Sequence, residues 1–421
     1  NPIYVRHYPA GELYGHPVGY SYVQTTQSEL ERSENDALVG NTNEFSSILD
    51  QLRGHAQVGD NVTLTLDSTV QKAALDALNA ANASTAGSNG AGAVVAIDPR
   101  TGAIKAMVST PGYDPNAVAN TATFDKLQKP GSGSPLLNRA TQSTYPPGST
   151  MKVVTAAAAL DSGKFTPTTT LTANSPLTVS GAPLVNDGDQ SFGSIDMTYA
   201  LTNSVNTYFA QVGEQVGPTT MVDYMRNFGF YSDPQLDYPS DEMAPTGPYN
   251  SSGHLVTSGF DVGRVAIGQG GAEGQMLATP MQMAEVAATI ANGGTLERPS
   301  LVQKVTDVDG RTVSELKPSP ESQAIKPQTA TQLTDMMLKV TQEGTAAGLT
   351  VGGEPFAGKT GTAEIDVAAG INQPWFIGFA PASDPKIAVA ATIERCTGCF
   401  GGSVAGPIAT KVMDAALGIG G

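Results

Sequence analysis

The sequence has few basic residues, few cysteines and no long apolar run. Its 421 residues include 23 Lys and Arg against 39 Asp and Glu, for a formal net charge of −16. Because proteins bind the phosphate backbone of nucleic acids through basic surface, this balance argues against a nucleic-acid partner. The run "VVTAAAAL" is far shorter than the ~18 apolar residues that a membrane-spanning helix needs. We therefore expect neither a nucleic-acid partner nor a membrane span in these residues.

The start of the chain, "NPIYVRHYPAG", has no initiator Met and no signal-peptide pattern. We interpret the chain as processed or trimmed and expect any membrane anchor to lie upstream of it. Gly and Pro number 47 and 28 of 421 residues. Their combined share is below the about 25–30% at which disorder is expected. The length predicts two or three domains, and a hydrophobic fraction of 40% is ample for a core.

The only two cysteines, Cys396 and Cys399, lie in the segment "ERCTGCFGG". A zinc site needs about four ligands, and neither another cysteine nor a nearby histidine is available. A thioredoxin-type redox pair would begin a helix inside a βαβ unit, whereas this pair follows a predicted strand in a Gly-rich turn. The pattern favours a loop, which a local disulfide would close in an oxidising compartment.

The order of local patterns divides the chain into three regions. Residues 1–60 contain short β-like pieces, "IYVRHYP" and "GYSYVQT", and predict a small irregular module. Residues 61–90 predict a linking strand and then a helix that Asp67 or Ser68 caps. Residues 91–421 begin with the hairpin "GAVVAIDPRTGAIKAMVS" and end with the strands "PFAGKTGTAE", "PWFIGFAP" and "KIAVAATIE". Strands at both ends with helices between them predict one α/β domain with a single sheet.

Three short motifs carry potential chemistry. In "STMK", Ser149 stands at a helix start and Lys152 follows three residues later, on the same face, where its amine can reach the serine hydroxyl. The alternative is a helix-capping serine and a solvated lysine. "SVN" (204–206) and "KTGT" (359–362) are equally weak alone, since a cap or a surface strand explains each. All three in this order match the serine acyl-transfer motifs of β-lactamases and penicillin-binding proteins.

Other candidate residues are better explained by structure. The loop "GQGG" (268–271) lacks the strand and lysine of a phosphate site and is interpreted as architectural. The single tryptophan, Trp375, is expected in the core of the sheet. None of the histidines has the spacing of a triad or a metal site, and we expect them to be solvated or structural; they are His7, His16, His55 and His254.

The longer segments around these motifs resemble class B penicillin-binding proteins. The resemblance covers almost the whole chain and includes "RHYPAG", "LERSENDALVG", "VTLTLDSTVQKAALDAL", "YPPGSTMKVVTAAAAL", "AIGQGGAEGQMLATPMQMAEVAATIANGG", "EGTAAG", "KTGTAE" and "PWFIGFAP". Within that family the chain is most similar to the actinobacterial penicillin-binding protein A type. The resemblance implies a penicillin-binding/β-lactamase-like α+β transpeptidase domain with a five-stranded, mainly antiparallel sheet flanked by helices. It also implies a short, truncated N-terminal pedestal or dimerisation-like module in residues 1–60.

The resemblance implies a role for each motif residue. Ser149 would be the nucleophile on a D-Ala-D-Ala peptide bond, and Lys152, neutral at pH 7, would be the general base. Ser204 would relay a proton to the leaving amine, Asn206 would hold the substrate amide, and Lys359 would supply positive potential.

The "KTGT" strand would bind the rest of the substrate. Thr360 and Thr362 would hold the terminal carboxylate, and Gly361 would let the substrate backbone lie against the strand. The backbone N–H groups of Ser149 and Thr362 would form the oxyanion hole. No cofactor or metal is implied.

The resemblance further implies peptidoglycan stem peptides as donor and acceptor, β-lactams as inhibitors, and a membrane glycosyltransferase as a partner. The catalytic domain would lie on the outer face of the cytoplasmic membrane. Three alternatives of the same fold stay open: a D,D-carboxypeptidase, a serine β-lactamase and a β-lactam sensor. For a β-lactamase, Glu242 lies in a plausible region for a deacylating base, but Thr246 stands where the matching Asn is expected.

Overall fold

A computed structural model describes residues 5–40, 58–271 and 274–419. In these ranges no helix combines the length and the apolar character that crossing a membrane requires. The helices in chain order are α1 Gly15–Val18, α2 Glu29–Ser33, α3 Asn35–Val39, α4 Ser68–Ser84, α5 Pro115–Val118, α6 Thr121–Gln128, α7 Lys152–Asp161, α8 Met197–Thr202, α9 Asn206–Val216, α10 Pro218–Asn227, α11 Val262–Val265, α12 Pro280–Ala291, α13 Pro327–Gln342 and α14 Ala405–Ala416.

Four short 3₁₀ turns and many short strands complete the structure. The 3₁₀ turns are Gly11–Tyr14, Gly148–Met151, Asp187–Asp189 and Ser240–Glu242. The strands are β1 Asn61–Leu64, β2 Gly92–Ile97, β3 Ile104–Thr110, β4 Thr170–Thr172, β5 Leu177–Val179, β6 Ala182–Leu184, β7 Ser194–Asp196, β8 Gly247–Tyr249, β9 Gln275–Leu277, β10 Thr295–Glu297, β11 Val302–Thr306, β12 Thr312–Glu315, β13 Pro320–Gln323, β14 Ala357–Asp366, β15 Ile371–Ala380, β16 Ile387–Ile393 and β17 Cys396–Thr397.

The central sheet joins the early hairpin to the late strands, as the sequence predicts. Its strand order is β14-β15-β16-β2-β3, every pairing is antiparallel, and β17 adds a short sixth strand beside β15. Strand β16 is buried at every residue, which is expected where helices cover both faces of a sheet. Helices α4, α12 and α14 contact the central strands, while β14 lies at the edge. This edge strand carries the "KTGT" motif.

The linking region also follows the prediction. Asp67 caps α4, because its carboxylate accepts hydrogen bonds from the Thr69 and Val70 N–H groups at 2.8 and 3.1 Å. The face of α4 that includes Val70, Ala74 and Leu78 is buried against the domain. The sequence prediction of the strand and of the cap is therefore confirmed.

The N-terminal module differs from the prediction of β-like pieces. Its described part, residues 5–40, consists of short helical segments and one isolated bridge between Ser21 and Gln27. Tyr20 of the piece "GYSYVQT" is instead buried in a small cluster, in which it packs edge-on against Tyr113 and Phe124 of the larger domain. Packing across the two regions therefore overrides the local β-propensity.

Candidate active site

The 3₁₀ turn Gly148–Met151 carries Ser149 and is here called the nucleophile turn. A close backbone contact between two glycines, Gly148 and Gly268, holds it in place. Gly148 adopts φ +53° and donates its N–H to the Gly268 carbonyl at 3.1 Å. A Cβ on Gly268, which has φ +73°, would lie 2.0 Å from the Gly148 carbonyl oxygen. Only glycine fits such an approach in the left-handed region. The architectural interpretation of "GQGG" is thus confirmed, and the loop's partner is the turn that presents Ser149.

Ser149 lies half-buried in the 3₁₀ turn Gly148–Met151, directly before α7. In the part of the chain that the structure describes, neither its hydroxyl nor its N–H makes a hydrogen bond. An unpaired N–H at a helix start is a ready donor for an anionic atom. Ser149 therefore offers a nucleophilic oxygen and a backbone donor at one position, and it is no helix cap by side-chain hydrogen bonding.

Among the described residues, Lys152 makes its hydrogen bonds to the "SVN" motif and none to Ser149. Its ammonium, fully buried, donates to the Ser204 carbonyl oxygen at 2.6 Å and to Asn206 Oδ1 at 2.7 Å. The "SVN" motif therefore binds the lysine through one backbone acceptor and one side-chain acceptor. Asn206 is also anchored on its other side, since its Nδ2 donates to the Val185 carbonyl at 3.0 Å.

The Ser204 hydroxyl lies between the two motif lysines. Lys359 Nζ donates to Ser204 Oγ at 2.9 Å, and Lys152 Nζ lies 3.3 Å from the same oxygen. Ser204 adopts φ +58° in the connection between α8 and α9. Such backbone strain in a residue other than glycine is typical of functional sites. The structure thus brings the first, second and third motifs together around one hydroxyl.

Both lysines are buried, and their pKa values move in the same direction. Burial lowers the pKa of the Lys152 ammonium well below its ordinary value, and the positive charge of Lys359 lowers it further. Burial lowers the pKa of Lys359 to about 7. The predicted direction for Lys152 is confirmed, and the site can hold one neutral amine beside one ammonium at neutral pH.

The edge of the sheet supplies a second backbone donor. Thr362 lies opposite Pro374, which has no N–H and whose carbonyl accepts from the Thr392 hydroxyl on β16. Opposite residues in an antiparallel pair either both bond across or both face outward, so the Thr362 N–H faces the free edge of β14. A Cβ on Gly148 would lie 3.1 Å from the Thr362 carbonyl carbon. The nucleophile turn therefore packs against the edge where this donor is exposed.

Gly361 lies where the turn that carries Ser149 approaches β14 closely. A Cβ at this position would lie 2.9 Å from the Pro147 carbonyl oxygen and 3.0 Å from Thr150 Cγ2. These atoms belong to the turn Gly148–Met151 and to Pro147, the residue directly before it. Glycine is therefore needed here for the turn to approach β14, and the expected passage of the substrate backbone along Gly361 stays a prediction.

The two threonines of the "KTGT" motif each have a hydrogen-bond partner outside the three motifs. The Thr360 hydroxyl lies 2.6 Å from the Thr345 hydroxyl of the "EGTAAG" segment. The Thr362 hydroxyl accepts a hydrogen bond from the Gly401 N–H at 3.2 Å. Glycine-rich loops give little sequence signal for such contacts, although the small residues around Thr345 and Gly401 are consistent with close packing.

The remaining candidates lie elsewhere. Trp375 is fully buried, as expected. His16 is buried with Nε2 2.9 Å from the Pro135 carbonyl, while His7 and His254 are exposed, so the expectation holds for these three; His55 lies outside the described residues. Cys396 and Cys399 are paired in a disulfide within the loop.

Glu242, the residue considered for a β-lactamase base, is engaged by the N-terminal module. It accepts hydrogen bonds from the Glu29 N–H at 2.6 Å and from Arg32 at 3.4 Å. Thr246 is buried and donates to Gln282. In the described ranges, neither residue has a hydrogen bond to the motif residues around Ser204.

Two family models match this chain. The penicillin-binding protein transpeptidase domain matches residues 92–414, and the penicillin-binding protein A dimerisation domain matches residues 1–62. Together they account for nearly all of the sequence.

Individual proteins are similar over the same length. The peptidoglycan D,D-transpeptidase PbpA of Mycolicibacterium smegmatis is 37% identical, with 98% of this chain and 84% of that protein covered. The crystal structure of PBPA from Mycobacterium tuberculosis has a TM-score of 0.84 at 34% identity and covers 98% of this chain and 93% of that one. The penicillin G acyl-enzyme complex of that protein matches with the same score, identity and coverage. The chain therefore belongs to the class B penicillin-binding proteins, the family that its motifs predict.

Proposed function

We propose that this protein is a peptidoglycan D,D-transpeptidase that cross-links stem peptides through a Ser149 acyl-enzyme, and that β-lactams acylate the same serine. The observation that carries the proposal is the buried array in which the Ser204 hydroxyl lies within reach of both Lys152 and Lys359. Such an array can move a proton between a nucleophile and a leaving amine without bulk water. A capping serine with a solvated lysine would need none of it.

The first half-reaction would acylate Ser149. Neutral Lys152 donates two N–H bonds, to the Ser204 carbonyl and to Asn206, so its lone pair is left to accept the Ser149 proton. Ser149 Oγ then forms a bond to the carbonyl carbon of the D-Ala-D-Ala peptide. The carbonyl oxygen takes the negative charge and is stabilised by the Ser149 and Thr362 N–H groups, of which one alone is worth about 3–4 kcal/mol in such sites.

Collapse of this intermediate breaks the peptide C–N bond and needs a proton at the leaving nitrogen. Ser204 would give its proton to the terminal D-Ala amine and regain one from Lys152, which returns to the neutral state. Lys359, with the hydroxyls of Thr360 and Thr362, would hold the terminal carboxylate. The shared position of Ser204 between the two amines supports this relay.

The second half-reaction runs the relay in reverse. An acceptor amine attacks the ester carbonyl, its proton passes through Ser204 to Lys152, and Ser149 leaves with a proton from Lys152. The products are a new amide, which is the cross-link, and free enzyme.

The engagement of Glu242 with Glu29 and Arg32 disfavours the β-lactamase alternative. A carboxypeptidase would differ only in using water as the acceptor. A sensor would be acylated once without turnover of stem peptide.

We further propose the setting in which the enzyme works. By family, the catalytic domain would lie on the outer face of the cytoplasmic membrane, tethered by an anchor upstream of residue 1, and would act with a membrane glycosyltransferase. We retain the division into a module 1–60, a link 61–90 and a transpeptidase domain 91–421. The ranges of the two matching family models support this division.

An assay in which a donor peptide can react with either of two acceptors, water or a peptide amine, tests the proposal. A D-Ala-D-Ala pentapeptide is incubated with the protein, with and without a diamino-acid tripeptide acceptor, and the products are identified by mass. We expect a cross-linked peptide that forms only with the acceptor and is lost in Ser149→Ala. Tetrapeptide alone, unchanged by acceptor, would assign a carboxypeptidase. Absence of both products, with a stable penicillin adduct, would assign a sensor, and rapid catalytic loss of penicillin would assign a β-lactamase.

A further inference from the structure

The disulfide-closed loop lies directly against β15, the strand that pairs with the "KTGT" strand β14. Cys396 pairs with Asn372 in the short β17–β15 ladder, and the Asn372 Nδ2 donates back to the Cys399 carbonyl at 3.0 Å. Both sulfurs belong to buried residues, with Cys396 fully buried and Cys399 6% exposed. The bridge therefore fixes the path of the chain as it leaves the sheet and enters the glycines that precede α14.

Two of those glycines, Gly401 and Gly402, pack closely against residues of the candidate active site and its neighbours. The Gly401 N–H donates to the Thr362 hydroxyl, and a Cβ on Gly401 would lie 2.3 Å from the Gly361 and Trp375 carbonyl oxygens. A Cβ on Gly402 would lie 2.5 Å from the Thr345 carbonyl oxygen. Through Thr345, whose hydroxyl meets that of Thr360, the same segment reaches the second threonine of the motif.

We propose that the segment 396–402, here called the disulfide strap, is a positioning element for the carboxylate of the substrate. A hydroxyl has one hydrogen to donate and two lone pairs. Because the Gly401 N–H occupies a lone pair of Thr362, the Thr362 hydrogen is free to donate to a carboxylate. The bridge holds Gly401 at the distance that this orientation requires. The inference rests on the proposed function, which assigns the carboxylate to Thr360 and Thr362.

The test separates carboxylate binding from general damage. Cys396→Ser/Cys399→Ser and the parent protein are acylated with benzylpenicillin and with its methyl ester, and stopped-flow data give the dissociation constant and the acylation rate constant. We expect the double variant to weaken binding of the acid about tenfold, the lower end of the effect of one hydrogen bond to a charged group, and to leave ester binding unchanged. An equal loss for both compounds, or no loss for either, would overturn the proposal.

A second route keeps the test open if the double variant does not fold. Asn372→Ala leaves the bridge intact and removes only its hydrogen bond to the Cys399 carbonyl, so we expect a smaller change in the same direction. In a Thr362→Val background neither strap variant should weaken acid binding further, whereas Thr362→Ser should preserve the effect. An undiminished strap effect in Thr362→Val would overturn the proposal. Lack of acylation in the parent protein would contradict the proposed function itself.

Discussion

At the scale of single residues, the identities of the motif residues follow from sequence, and their contacts do not. Helical spacing places Lys152 on the face of Ser149, but the amine turns to the Ser204 carbonyl and the Asn206 side chain. Helical geometry fixes only where a long side chain starts. The acceptors come from a connection more than fifty residues away, and its position depends on tertiary packing. The partners of Thr360 and Thr362 were missed for the same reason.

Asn206 is predicted to tune Lys152. Asn206→Ala removes one of the two short acceptors of the amine, so Lys152 is less well oriented. The acylation rate constant should fall at least about tenfold, which is less than the loss of about 10²–10⁴ typical when a positioned base is removed. Asn203→Ala is the matched control, because among the described residues the Asn203 side chain donates only to the Tyr199 carbonyl in α8. Rates of penicillin acylation measure both. Equal rates in Asn206→Ala and the parent would contradict the role.

The titration of Lys359 should determine how the acylation rate constant falls at alkaline pH. Its pKa is lowered to about 7, so in the free enzyme the ammonium, and with it the attraction for the carboxylate, is lost as the pH rises above that value. We expect the second-order acylation rate constant for penicillin to decline above about pH 7 and that for the methyl ester to decline less. Parallel profiles for the two compounds would contradict the assignment.

At the scale of elements, sequence reasoning is most successful where a pattern is long and local. The hairpin β2–β3, the late strands and the cap at Asp67 all have strong periodicity or turn chemistry. It fails for the N-terminal module, in which Tyr20 is buried against Tyr113 and Phe124, and for the two-residue strand β17. Those elements depend on long-range contacts that no local pattern encodes.

Two glycines of the loop "GQGG" are predicted to differ in their response to replacement by alanine. Gly268→Ala introduces a Cβ 2.0 Å from the Gly148 carbonyl oxygen at φ +73°, so it should cost about 1–3 kcal/mol of unfolding free energy and slow acylation by displacing the nucleophile turn. Gly271→Ala is the control, since its Cβ would meet none of the described residues within 4 Å. Denaturant unfolding and acylation rates measure the two effects. Equal behaviour of the two variants would show that the contact does not position Ser149.

At the scale of the whole molecule, the N-terminal module meets the larger domain through two carboxyl groups. Glu29, 2% exposed, donates its N–H to Glu242, and its own Oε2 has no hydrogen-bond partner among the described residues. Burial, together with the charge of Glu242, raises the pKa of Glu29 well above its ordinary value, and burial raises the pKa of Glu242. The interface therefore holds a proton more tightly than the unfolded chain does.

This linkage fixes the sign of a pH effect on stability. A raised pKa in the folded state gives stabilisation that is complete below the unfolded value of ~4.5 and is lost as the pH rises through the folded value. Glu29→Gln cannot ionise, so its Tm should exceed that of the parent at pH 8, and the difference should shrink toward pH 5. Glu364→Gln, at an exposed position on β14, should show no such trend. A pH-independent difference for Glu29→Gln would contradict the assignment.

The central claim is that Ser149 is an acyl-forming nucleophile. The most direct test is intact-mass analysis of the protein with a labelled penicillin over several hours, followed by peptide mapping, with Ser149→Ala and Lys152→Ala beside the parent. We predict one long-lived adduct on the peptide that contains Ser149, no adduct in Ser149→Ala and a much slower one in Lys152→Ala. An adduct that persists in Ser149→Ala, or a parent protein that is never labelled, would contradict the account.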